Sequence, residues 1–197
     1  MIDLAPYKQA AKQQLEPNIY NHSLSLAACM AGLYDYLAEN KQLSDTEPGK
    51  DLWEVAALVH DIDYCPGYKE THPHKTMEIL AKYKLDLDPI AHNIVKAHAP
   101  ELTGYQPKSK AEWAIFCADS LTGLITAVAF VYPSRKLAEV KTNSVLKRFL
   151  KEPKFASGTR RDEVKQCELP QVLGIPLEKF IEICLTSMQK IAPEIGL

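Results

Sequence analysis

At 197 residues, 46% hydrophobic and 24% charged, the chain has the length and composition of one well-buried domain, which excludes disorder and leaves two domains cramped. A net charge of -2, from 23 basic and 25 acidic residues, supplies no field to draw in long nucleic acid or an anionic membrane. Five cysteines without a CxxC pair are expected as reduced, buried thiols of a cytoplasmic protein.

Met1-Ile2-Asp3-Leu4 lacks the basic start and apolar core of a signal peptide, so none is expected. Nearly every later segment has the helical period and none alternates with period two, so the expected fold is all-α. Residues 2–15 make a weakly amphipathic helix, broken near Glu16-Pro17. The next helix, about 19–39, carries His22, Leu26, Cys29, Leu33 and Leu37 three or four apart, a row that turns His22 inward. Taken alone, His22 reads more readily as a core or capping histidine than as a ligand. Ser44 to Gly49 is a polar loop. Asp51 is then expected to cap a short helix from Leu52 to about Asp63, with Val55, Ala56, Val59 and His60 along one side.

That helix ends in Leu58-Val59-His60-Asp61-Ile62-Asp63-Tyr64, followed at once by the turn residues Cys65-Pro66-Gly67. Neighbours on a helix point about 100° apart, so His60 and Asp61 share no face but can converge on a point between them. A carboxylate in such apolar company needs a proton, a cation or a metal, and a metal is the reading adopted. Thr71-His72-Pro73 is expected to open another helix, with His74, Met77, Glu78 and Ala81 as its stripe. Asp88-Pro89 starts the next. There Ala91, Ile94, Val95 and His98 share one face, so His98 points to the core while His92 lies beside Lys96 on the solvated side.

Ser109-Lys110-Ala111-Glu112 is a capping box for the longest helix, roughly 110–132, which is apolar nearly all round and so expected at the centre. Its apolar stretch Leu121 to Tyr132 is too short to span a bilayer. One acid lies inside it, Asp119, with Gly123 a turn away. Glycine costs about 1 kcal/mol of helix propensity relative to alanine, and close approach of something to the face of Asp119 would account for it. A buried Arg or Lys beside Asp119 is the plain alternative, but adjacent segments offer no obvious cation. Pro133 stops the helix. Residues 135–165 then carry ten Lys or Arg against four acids, usually just a solvated face, although such a run could meet a phosphorylated ligand. The last helix, opened by Pro176, shows Leu177, Phe180, Ile181, Cys184, Leu185 and Met188 as a packing stripe.

The inward candidates are His22, His60, Asp61, His74, His98 and Asp119, on different helices and with no thiolate among them. Such donors suit Mn, Fe, Ni, Co or Zn, as one or two ions, better than a structural zinc, which recruits cysteine. In the order His22, His60-Asp61, Asp119, the chain resembles the HD-domain superfamily of metal-dependent phosphohydrolases. Leu58 to Tyr64, Ala118-Asp119-Ser120-Leu121-Thr122-Gly123-Leu124-Ile125 and Val140 to Arg161 look like a bacterial subgroup of predicted HD hydrolases, over roughly 20–190. The His-Asp pair alone is a weak signal; the ordered set with Ala-Asp-x-Leu-Thr-Gly is a strong one.

The resemblance implies a single all-α domain over 1–197, an HD-type bundle with its core at about 18–132 and a C-terminal helical extension at about 134–192. It implies that His22, His60, Asp61 and Asp119 bind one metal. Some members hold a second ion through two further histidines, with the Asp of the pair bridging. His74 and His98 fit those places, and His72 competes with His74 but precedes the expected helix-opening proline. The implied function is hydrolysis of a phosphomonoester or phosphodiester, in a nucleotide or related small molecule, by water activated at the metal beside Asp61. Asp63 or Glu70 could accept or orient the water's proton, though a helix-end or loop carboxylate explains each as well. Lys141, Lys147 and Arg161 match basic positions of the subgroup and are candidates for phosphate binding, with surface solvation the alternative. Two other classes stay open: a di-iron oxygenase, and a noncatalytic metal-stabilised module that binds a nucleotide. Among nucleic acids only short single-stranded ends remain candidates, and apolar helix faces permit a homodimer without requiring one.

Overall fold

Prolines and apolar rows decide where the helices of this chain begin and what they bury. In the computed structural model, which describes residues 2–197, α1 (Ala5–Gln14) breaks before α2 (Pro17–Glu39), whose proline takes the first helical position. The row Leu26, Cys29, Leu33 and Leu37 of α2 is fully buried, as its spacing requires. α3 (Lys50–Val59) packs against it. It starts at Gly49 rather than at Asp51, whose carboxylate instead accepts from the Ile2 and Leu52 amides at 2.7 and 3.1 Å. It also ends at Val59, earlier than the expected Asp63, and residues 61–63 form a turn.

After a 3-10 turn at Lys69–Thr71, α4 (Thr76–Lys82) opens three residues later than Pro73. The reason lies in Asp63, whose Oδ2 accepts from the Lys75 amide at 2.7 Å and holds residues 72–75 as a turn. α5 (Pro89–Ala97) is capped by Asp88, which accepts from the Ile90 amide at 2.7 Å, and α6 (Pro100–Thr103) follows it. The capping box of Ser109 and Glu112 starts α7 (Lys110–Val131) as the spacing predicts.

α7 is the axis of the fold. It lies against α2, α5, α8 (Thr142–Lys151), α9 (Arg161–Val164) and α10 (Leu177–Lys190), with α11 (Ala192–Ile195) closing onto α2. The helix begins well before Leu121, so by length and composition it could cross a membrane, contrary to the sequence expectation. Yet 67% of its most apolar window is buried inside the protein, which makes it a core helix here. Each large apolar side chain so buried contributes about 1.5–3 kcal/mol.

Among the described residues the structure contains no strand, so the fold is all-α. α10 buries Phe180, Ile181, Cys184 and Met188 and runs close along α2. A Cβ on Gly32 would stand 2.1 Å from Ser187 Oγ and 3.3 Å from its Cβ, so a side chain there would force Ser187 to turn aside. All five cysteines are free and buried, and burial pushes the Cys117 and Cys184 thiols well up.

Candidate metal centre

Six side chains from five stretches of the chain converge beneath one cavity. His22 comes from the first turns of α2, and Asp119 from the middle of α7. His60 and Asp61 follow the last turn of α3, and His98 caps the end of α5. The sixth is His72, from the turn before α4. His74, the residue expected there, is exposed and joins neither donor group. The helical stripe that favoured His74 does not exist, because the helix starts only at Thr76.

Two groups of three share Asp61: His22, His60 and Asp61, and Asp61, His72 and His98, each with its ligand atoms within 4.8 Å of one another. In the first, His22 Nε2 lies 3.2 Å from His60 Nε2, and Asp61 Oδ2 is 3.7 and 3.3 Å from those two atoms. Asp119 Oδ1 joins them at 2.9 Å from His22 and 3.7 Å from His60. In the second, His72 and His98 Nε2 are 3.2 Å apart, with Asp61 Oδ1 at 3.4 and 3.8 Å. Donors sitting about 2.1 Å from one ion at tetrahedral or octahedral angles are roughly 3.0–3.4 Å apart, close to this pattern. Asp61 thus gives one oxygen to each group.

Hydrogen bonding decides which ring nitrogen faces inward. His60 Nδ1 donates to the Ala57 carbonyl at 2.7 Å and His98 Nδ1 to the Val95 carbonyl at 2.5 Å. Carbonyls only accept, so both hydrogens sit on Nδ1. His72 Nδ1 donates to Asp63 Oδ1 at 2.6 Å. Thr122 Oγ1 spends its hydrogen on the Asp119 carbonyl at 2.8 Å and so accepts from His22 Nδ1, also at 2.8 Å. All four Nε2 atoms therefore aim lone pairs at one another across short gaps. Facing lone pairs beside two carboxylates need a cation between them, and outward Nδ1–H bonds of this kind orient metal-bound imidazoles. The residues fit a divalent metal.

The electrostatics agree. Burial alone would lower the His60 pKa, but Asp61 and Asp119 outweigh it and push it up to about 10. Without a metal, a proton fills the same need. His98, buried and facing His60, drops to about 4. Burial opposes ionisation of Asp61 and Asp119, yet the surrounding imidazoles, His60 for Asp61 and His22 for Asp119, hold both carboxyls below the usual range.

A cavity of about 560 Å³ opens above these donors, walled by Tyr64, Glu101, Ser120 and the loop Ala156 to Arg160. Arg160 is its one permanent cation among the described residues. Its Nη2 donates to Asp119 Oδ2 and its Nε to Glu163, both at 2.6 Å. This corrects the expectation that Asp119 has no cationic neighbour: the partner arrives from 41 residues downstream, beyond any local pattern. The other sequence candidates lie elsewhere. Arg161 donates to the carbonyls of Phe149, Glu152 and Phe155, which shapes the loop but leaves no role at the cavity. Lys141 and Lys147 are exposed away from it, Lys141 beside Lys179 and Glu182. Glu70 is exposed on the 3-10 turn and lines no part of it. Asp63 is fully buried, with His72 on one oxygen and the Lys75 amide on the other, so it orients a ligand and faces no water.

Sequence reasoning placed His72 behind His74 and did not single out Arg160 or Thr122. For His72 a signal existed: a buried Asp63 needs a donor, and a turn can supply one. Gly123 meets no protein atom within 4 Å of a built Cβ, so nothing in the chain makes the close approach expected of it.

In comparisons with known proteins, the family model of the HD domain matches residues 19–124, just over half of the chain. No curated protein and no solved structure matches. The matched span ends before the loop that carries Arg160.

Proposed function

The chain belongs to the HD domain family, whose members are typically metal-dependent hydrolases, and from that premise we propose that it hydrolyses a phosphomonoester or phosphodiester of a nucleotide or related small molecule. The observation that carries the proposal is the set of four histidines with Nδ1–H tied outward and Nε2 turned inward around Asp61. His22, His60, Asp61 and Asp119 would hold one ion, and Asp61, His72 and His98 a second, drawn from Mn, Fe, Ni, Co or Zn. An ion held by these residues would lower the pKa of bound water from 15.7 toward about 7 and would offset charge on the phosphoryl oxygens.

The chain's own residues do the rest. Asp61 turns one oxygen toward His60 and the other toward His72 and would thus serve both donor groups. Asp63 fixes the His72 ring, and Thr122 the His22 ring. Arg160, held by Asp119 and Glu163 through Nη2 and Nε, keeps Nη1 for a phosphate oxygen, the role the sequence reading gave to Lys141, Lys147 and Arg161.

The test is metal content by mass spectrometry on the purified protein, followed by a phosphoester panel with the Mn-loaded form. About two ions per chain are expected, with inorganic phosphate released from a monoester or a monoester and an alcohol formed from a diester. Two irons with visible absorption that responds to oxygen would move the site to oxygenase chemistry. Failure to retain any ion after reconstitution would overturn the hydrolase reading.

A further inference from the structure

A second cavity, of about 430 Å³, lies in the groove between α2 and α7 and shares His22 and Gly123 with the first. Its walls differ in kind. Asn18, Asn21 and Ser25 line it from α2, Thr126 and Phe130 from α7, and Leu197 closes one end. None of the side chains on its walls is a carboxylate, Lys or Arg, whereas the metal cavity is crowded with titratable groups. Hydrogen-bonding capacity remains inside. Asn21 spends one N–H on the Ile195 carbonyl at 3.1 Å and keeps its side-chain oxygen, and Ser25 donates to the Asn21 carbonyl at 2.7 Å and keeps its lone pairs. Among the described residues, Asn18 and Thr126 have no side-chain partner, and Phe130 offers an exposed ring.

We infer that this groove is the subsite for the nucleobase of a nucleoside phosphate whose phosphoryl group sits at the clustered donors, with Gly123 as the saddle between the two cavities. The inference rests on the phosphohydrolase reading and names its substrate class. The groove offers a phosphate no Lys or Arg among its described lining residues, whereas the metal cavity offers Arg160. Amides and hydroxyls with hydrogen-bonding capacity to spare, beside an aromatic ring, suit a planar group with donor and acceptor edges, and the volume falls within the roughly 300–1,000 Å³ of small-molecule sites. Gly123 stands one turn beyond Asp119, and a side chain there would project into open space between the cavities. The missing Cβ leaves room for a ligand to cross.

Two measurements test this. In the Mn-loaded protein, kcat/KM is compared for a nucleoside 5′-monophosphate and for glycerol phosphate, in wild type, Gly123→Val, Thr126→Val and Phe130→Ala. The preference for the nucleotide is expected to fall by at least about tenfold in Gly123→Val and by less in the other two. Independently of turnover, saturation-transfer NMR reads binding of the free nucleosides adenosine and uridine, which is expected in wild type and lost in Gly123→Val. Glycerol phosphate hydrolysis with neither nucleotide preference nor nucleoside binding would overturn the subsite and leave the phosphohydrolase standing. Nucleoside binding that weakens in the variants, with no ester cleaved at all, would keep the subsite and remove the phosphohydrolase.

Discussion

The two donor groups around Asp61 are built on different kinds of backbone. The first stands largely on long helices, with His22 on α2 and Asp119 on α7, each fixed by packing along more than twenty residues. The second depends on a turn: His72 belongs to no helix, and a fully buried carboxylate, Asp63, holds both its ring and the turn's far end. Helix packing secures one group, and two hydrogen bonds to one side chain secure the other. The second should therefore yield first when its support is altered.

Five substitutions break or sharpen that contrast, the largest effect first. Asp61→Ala removes the oxygen that each group relies on, so both ions and the hydrolysis are expected to go, with kcat/KM down by about a thousandfold or more. Metal analysis and a phosphate-release assay check it. Asp63→Asn keeps the shape but weakens the support of His72. Affinity for one ion should fall by about 10–100-fold while the other ion stays, as read by competitive titration with a chelator. Equal weakening of both ions would sink the contrast. His72→Ala should lower the metal content to about one ion per chain, whereas His74→Ala should leave it at about two, because His74 faces solvent. Arg160→Gln should raise KM for a phosphoester by about tenfold at constant metal content, the cost of one charge-assisted bond to phosphate. A change confined to kcat would argue that Arg160 acts only through Asp119.

The same contrast explains what could be read from the chain alone. His22, His98 and Asp119 sit on or at the end of regular helices, so a period of 3.6 was enough to turn them inward, and the caps at Asp88 and Ser109 marked where two of those helices start. The period fails where the helix does. His74 was favoured over His72 by a stripe on a helix that begins three residues later than expected, because Asp63 captures the Lys75 amide. Arg160 was out of reach for another reason: its pairing with Asp119 spans 41 residues and depends on how α9 docks against α7. Its neighbour Arg161, equally basic, spends itself on three backbone carbonyls, a difference that composition cannot show.

The close seating of α10 on α2, where Ser187 occupies the space a side chain at Gly32 would need, bears on how the protein is made. A ribosome releases the chain from its N-terminus, so all six donors, from His22 to Asp119, leave the tunnel while α10 is still being synthesised. Until α10 arrives, the helix that carries His22 lacks one whole flank. Newly exposed imidazoles would then meet whatever ion the cell holds in excess before their geometry can discriminate. Discrimination between ions is thus expected only after α10 has closed onto α2.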